Sequence, residues 1–290
     1  MTRGRLPVSL LSFVVLTFAW TWTMWWSAAA NGLSVEEPPG SGLYLLGVFG
    51  PLVAAAWVVR RGGRAYRREF LRRIWDPRRI PTRWRLALVA VAAVPFALGG
   101  AAAMVTRAEI TVPDYSVAAV VAVIMVALVA SLAEEPGWRG AASDVWQARA
   151  RPVWAALGIG TLWSLWHLPL HFFEDSWYHG MGMWSVRSWL VHLLLVQLGV
   201  LFVWLANGSG GSVLVAVLAH AGVNVAVGLV PESVTRDLVA FVSVTLATVA
   251  VIAATRGQLA FTAVSKDELA PPGAQAPPVG ASPPPTAGRA

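Results

Sequence analysis

Long apolar blocks alternate along the chain with short polar breaks, and eight blocks reach the length of a membrane-crossing helix: 7–30, 41–60, 86–105, 116–135, 153–172, 186–206, 211–230 and 236–255. A helix rises ~1.5 Å per residue, so a hydrocarbon core ~30 Å thick takes about 20 mostly apolar residues to cross. Only helices and closed barrels satisfy their backbone groups in lipid, and barrel strands would give shorter, alternating segments. The pattern therefore predicts an all-α fold, a polytopic transmembrane helical bundle of about eight spans that occupies residues 1–260 as one domain. From about Ser265 the chain turns to Pro, Ala and Gly without apolar periodicity. Residues 261–290 are expected to form a disordered cytoplasmic tail, because they bury too little to offset their own ordering entropy.

Composition sharpens this picture. Of 290 residues, 57% are hydrophobic and only 13% charged, more apolar surface than a soluble domain can hide. The chain has no cysteine, which removes disulfides, thiolate catalysis and Cys-ligated metals and leaves carboxylates, histidines, amides and hydroxyls to do any chemistry. The pI near 10.9 does not imply nucleic acid, because half of the 22 Lys and Arg residues fall between Arg60 and Arg85, between two apolar blocks. That stretch reads as a cytoplasmic loop that obeys the positive-inside rule and touches anionic lipid headgroups. Counting spans from it puts Arg3 and Arg5, Arg149 and Arg151, and both termini on the cytoplasmic side of a multi-pass plasma-membrane protein. Glu36, Glu37 and the loop around Asp114 then face outward. The run from Leu6 to Trp26 is too long for a signal-peptide core, and tryptophans at 20, 22, 25 and 26 form an interfacial belt, so the first span is expected to stay uncleaved.

Ionisable groups within apolar spans are costly and point to function. The fourth span ends in Glu134-Glu135-Pro136-Gly137-Trp138-Arg139, the fifth carries His167 and His171, and the seventh carries His220 and Asn224. Turning near Arg149 to Arg151 would bring Glu134 and His167 level, while Asn224 stands one helical turn after His220 on the same face. The expected result is a polar chamber opening toward the cytoplasm. Arg139 stands four residues after Glu135, the spacing of a same-face ion pair, which leaves Glu134 the freer carboxylate. His171 is expected to be structural or interfacial, His179 a loop residue and His192 an interhelical polar contact.

These residues carry a resemblance. Glu134, Glu135 and Arg139 match the Glu-Glu-x-x-x-Arg signature of the CAAX-protease and bacteriocin-processing (CPBP) family; His167 matches Phe-x-x-x-His, with Trp163 in place of the phenylalanine; His220 and Asn224 match His-x-x-x-Asn. The resemblance is specific over residues 130–225, and the aromatic exchange is expected to affect packing rather than chemistry. It implies an intramembrane endopeptidase acting on a prenylated, leader or other membrane-associated peptide, with no nucleic-acid partner. In that reading Glu134 and His167 activate water, His220 and Asn224 polarise the carbonyl, and Glu135 and Arg139 support the site. The family label of metalloprotease leaves a second option, a catalytic Zn2+ held by Glu134, His167 and His220. A transporter would show paired discontinuous spans and detectable halves, and neither is visible. A non-enzymatic immunity or scaffold protein is opposed by the completeness of the polar set.

Overall fold

A computed structural model describes residues 9–261. The expectations for Arg3, Arg5 and the tail lie outside this range. Each of the eight apolar blocks is helical. The first is α1, Leu10–Ala30. The second is broken into α2, Gly40–Val48, and α3, Gly50–Arg61, and the third into α5, Thr82–Ala92, and α6, Val94–Val105; between them lies α4, Gly63–Trp75. The breaks fall just before Pro51 and Pro95, which lack the N–H that would continue the helical ladder. Then follow α7, Val117–Glu135, a π-helical turn, Pro136–Ala142, and the short α8, Ser143–Gln147. The fifth block is α9, Pro152–Trp166, continued by a 3-10 turn, Leu168–Phe172. After α10, Trp177–Met181, the chain closes with α11, Val186–Gly208, α12, Val213–Leu229, and α13, Val234–Ala254.

Six of the helical segments are long and apolar enough to cross a membrane alone, while α12 and α9 are shorter. α12 packs against several neighbours, while α9 keeps an exposed face with Trp154 and Leu165 and its apolar run is continued by the 3-10 turn. Serine caps the starts of α1, α7, α10, α11, α12 and α13, its hydroxyl accepting the N–H three residues on. Large apolar side chains such as Leu11, Leu86, Val105, Val126 and Leu246 remain exposed, as they would toward lipid.

The segment 60–85 is not a plain loop, which corrects the expectation. It folds as the amphipathic α4, with Phe70, Arg73 and Ile74 buried. Arg73 Nη1 donates to Asp144 Oδ2 at 2.5 Å and Arg73 Nε to the Gly211 carbonyl, so α4 is tied across the end of the bundle. Burial works against the Arg73 charge, but Asp144 outweighs it and holds the proton more tightly than in an ordinary arginine.

In lipid no hydrophobic force drives helix against helix, so close approach of small residues counts for more. α9 and α11 meet at Gly160 and Gly199, where a Cβ on Gly199 would come 2.7 Å from the Gly160 Cα. α12 occupies the centre, against α5, α7 and α11. Gly199→Leu is expected to lower stability by about 1–3 kcal/mol through overpacking, read as a lower thermal midpoint in detergent. Gly42→Leu, where the added side chain meets open space, is the control that should not move it.

Candidate active site

Glu134 and Glu135 end α7, and the π-helical turn follows at once. Pro136 supplies no N–H to the preceding turn and its ring crowds it, a mismatch that the wider winding absorbs. Gly137 lies against α3, where an added Cβ would come 2.5 Å from the Pro51 Cβ. All seven residues of the turn are buried.

The widened turn preserves the expected pair: Arg139 Nη1 donates to Glu135 Oε1 at 3.0 Å. The same oxygen accepts from His220 Nδ1 at 2.9 Å. The Arg139 guanidinium also stands 4.2 Å from the ring centroid of Trp163 and 5.0 Å from that of Phe202. Glu135 is thus a carboxylate at 0% exposure whose charge is matched by arginine and by an imidazole N–H. Its bond to Nδ1 leaves Nε2 of His220 as the ring nitrogen for a ligand.

Glu134 faces a different partner. Its Oε2 accepts the indole N–H of Trp163 at 2.7 Å. The backbone carbonyl of Trp163 accepts from His167 Nδ1 at 2.8 Å. Because a carbonyl only accepts, the proton sits on Nδ1 and the lone pair on Nε2. Tyr178 stacks on the His167 ring, with centroids 5.2 Å apart and planes 28° apart. Glu134, Trp163, His167, Tyr178, His220 and Asn224 all line one cavity of about 750 Å³. The four residues expected to act, Glu134, His167, His220 and Asn224, are therefore brought together from α7, α9 and α12.

Two expectations need correction. Trp163 was expected to matter only for packing, but its N–H holds the carboxylate, a bond that phenylalanine has no donor to make. The signal was present in the residue type, since a buried indole normally finds an acceptor. The chamber was expected to open toward the arginine-rich end. It runs instead along α7 from Glu134 to Ala122 and ends among Thr111, Pro113, Trp177 and Glu232, at the opposite end of the bundle. Counting residues from the turns gives depth but not the direction of an opening. Trp138, Arg139, Ala141 and Ala142, with Phe70 and the Arg73–Asp144 pair beyond them, fill the arginine end.

His171 and His192 form a separate buried layer, with Nε2 atoms 3.0 Å apart. Ser164 Oγ lies 2.8 Å from His192 Nδ1, and Ser188 Oγ lies 3.2 Å from His171 Nε2. This makes His192 the interhelical contact expected and His171 a core residue rather than an interfacial one. His179 lies on the short α10. Among the described residues no three His, Asp or Glu side chains converge so as to hold a metal ion. The side chains as arranged therefore do not fit a zinc held by Glu134, His167 and His220.

The profile of the family described as "Type II CAAX prenyl endopeptidase Rce1-like" matches residues 116–226, from the start of α7 into α12. A protein of Methanococcus maripaludis named CAAX prenyl protease 2 is 25% identical over 228 residues, which cover 73% of this chain and 81% of that protein. Both matches support a CPBP-family protease, and the profile match takes in every motif residue.

Replacing Arg139 with Gln strands Glu135 as a buried charge with only His220 beside it. Breaking such a pair costs about 3–5 kcal/mol, so folded yield should collapse. Size-exclusion chromatography of detergent-extracted protein reads this directly, and a monodisperse, normally expressed variant would contradict the structural role of the pair.

Proposed function

We propose that this chain is a CPBP-type intramembrane endopeptidase that hydrolyses a peptide bond of a membrane-associated substrate with water activated by Glu134 and His167. The observation that carries this reading is the shared cavity. It holds a carboxylate anchored by one oxygen, an imidazole whose tautomer leaves Nε2 basic, and a second imidazole and an amide on the neighbouring α12. Charged and polar groups at this depth are expensive, and here they converge on one space large enough for a peptide segment.

In this mechanism a water between Glu134 and His167 gives its proton to the Glu134 carboxylate while His167 Nε2 accepts its second hydrogen bond and aims the oxygen. The resulting hydroxide attacks the carbonyl carbon. Negative charge builds on the carbonyl oxygen, where the Asn224 side-chain amide donates to it and the His220 ring lies against the same space. Glu135 at Nδ1 fixes the orientation of that ring. Glu134 then returns the proton to the leaving nitrogen as the C–N bond breaks, so the base is regenerated without a further reactant.

The cavity wall is mostly apolar, with Val123, Val126, Leu194, Leu198 and Val227 among its lining residues. Such a wall suits an apolar or lipid-modified chain better than a soluble polar peptide. The name of the Methanococcus protein makes a prenylated C-terminal CAAX peptide the first substrate to assay.

The test uses purified protein and an internally quenched farnesylated CAAX peptide. Glu134→Gln keeps shape and hydrogen-bonding capacity but removes the base, and hydrolysis should fall by at least about 10²-fold while the thermal midpoint stays put. A fully active variant would sink the assignment of Glu134, and no hydrolysis by the wild type of this or a leader-peptide probe would favour an immunity or scaffold role. Stoichiometric zinc lost together with activity in His167 or His220 variants would reassign those histidines as ligands.

Trp163→Phe retains the ring that Arg139 and the two histidines touch but removes the N–H. One hydrogen bond to a charged group is worth about 1.5–3 kcal/mol, so kcat should fall ten- to a hundredfold, about 1.4 kcal/mol per tenfold, with KM little changed. An unchanged kcat would return Trp163 to a packing role.

A further inference from the structure

An oxyanion is stabilised by hydrogen-bond donors, and donors are scarce in this cavity. Glu134 accepts, and the Trp163 N–H is already held by it. His167 presents a lone pair at Nε2, because its proton sits on Nδ1 toward the Trp163 carbonyl. A neutral His220 likewise keeps its proton on Nδ1, against Glu135, and leaves a lone pair at Nε2. The Trp25 N–H donates to the Tyr44 carbonyl and the Ser176 hydroxyl to the Leu170 carbonyl, while Nε1 of Trp166 is sealed from open space. Among the described residues lining the deeper part of the cavity, this leaves the Asn224 amide and two phenols, Tyr44 and Tyr178.

The chain has four tyrosines. Tyr66 donates to Asp144 and Tyr115 to the Leu229 carbonyl. Tyr44 and Tyr178 line the cavity instead, and their hydroxyls neither bond to a described residue nor are shut off from open space. A phenol in apolar surroundings ordinarily has a partner, so two unpaired hydroxyls in one cavity point to a ligand.

The two differ in placement. The Tyr44 ring stacks on Trp25, with centroids 6.0 Å apart, one layer away from the acting residues. The Tyr178 ring lies directly on His167 and meets His171 edge-on at 5.3 Å. Its position is set locally: the Ser176 hydroxyl accepts the His179 N–H to cap α10, and donates to Leu170 in the 3-10 turn that continues from His167. Burial, with the Glu134 carboxylate adding to it, holds the Tyr178 phenol well above the ordinary tyrosine range, so it keeps its proton and remains a donor.

We propose that Tyr178 is a further catalytic residue, whose hydroxyl donates to the scissile carbonyl oxygen beside Asn224 as negative charge develops there. When hydroxide adds to the carbonyl carbon, the C=O π pair moves onto that oxygen. The phenol stabilises it by hydrogen bonding without giving up its proton, and releases it when the C=O bond re-forms and the leaving nitrogen departs. This role deepens the endopeptidase reading and rests on it.

Purified wild-type protein, Tyr178→Phe and Tyr115→Phe are compared on the quenched farnesylated peptide. Tyr178→Phe keeps the ring on His167 and removes only the hydroxyl. Loss of one oxyanion donor costs about 10²–10³ in kcat, so kcat should fall by at least about 10²-fold with KM little changed and the thermal midpoint unmoved. Tyr115→Phe removes a hydroxyl bonded elsewhere and should keep wild-type activity. A phosphinic-acid analogue of the peptide carries the charge of the tetrahedral centre, and for Tyr178→Phe its Ki should rise in proportion to the fall in kcat/KM. A ring that serves only for packing would move the thermal midpoint or KM and leave that proportion absent. Wild-type kcat in Tyr178→Phe, or a lowered kcat with an unchanged phosphinate Ki, would overturn the proposal while the endopeptidase reading stands. If the wild type cleaves neither this peptide nor a leader peptide, the endopeptidase reading falls and the role of Tyr178 falls with it.

Discussion

A carboxylate with no access to solvent has to be matched in charge, and the shape of this bundle's centre follows from how Glu135 is matched. Its Oε1 accepts from Arg139 one widened turn ahead and from His220 on α12. Removing a buried charge from its partners costs more than most single packing defects. That cost ties α7 to α12 and fixes the rotation of both helices about their axes. It also explains why α12 can be short: it is placed by polar contacts and by neighbours on several sides rather than by the thickness of lipid.

Once Glu135 is held, its neighbour has little freedom. Successive residues on a helix point about 100° apart, so Glu134 is turned off the ion pair and into the cavity, where Trp163 meets it. Trp163 in turn carries Arg139 against its face and offers its main-chain carbonyl to His167. One residue thereby orients the carboxylate, the imidazole and the supporting cation. The structural pair and the reacting pair are adjacent in sequence yet separated in role, and the side chain that links them lies on a third helix.

Much of this was legible in the sequence because lipid leaves a chain few choices. Long apolar blocks had to be helices, and the i, i+4 spacing of Glu135 and Arg139 survived even the π winding between them. What escaped had physical causes. The arginine-rich segment hid an amphipathic helix, since Phe70 and Ile74 are sparse among charges and the burial of Arg73 beside them depends on Gly211 and Asp144 arriving from far along the chain. Trp163 occupied an aromatic position, and aromatic positions read as packing until the acceptor opposite is known. The direction of the cavity could not be read from depth along each span, because an opening depends on which end other segments fill.

That last point bears on how hydrolysis can operate inside a membrane at all. The reaction consumes water and develops charge, so the site needs a wet path to one aqueous face, yet a path to both faces would leak ions and leave the groups hydrated and weakened. The bundle meets both needs by asymmetry. At one end the rim is polar and its arginines are paired within it, Arg187 with Asp237 and Arg236 with the same carboxylate, so the mouth does not collapse under unpaired charge. At the other end tryptophan, phenylalanine and a buried Arg73–Asp144 pair form a floor that α4 clamps from outside. Arg73 and Arg79, which hold α4 across that floor through Asp144, Gly211 and Gly210, belong to the most basic stretch of the chain. Charge and closure at that end of the bundle therefore draw on one set of residues.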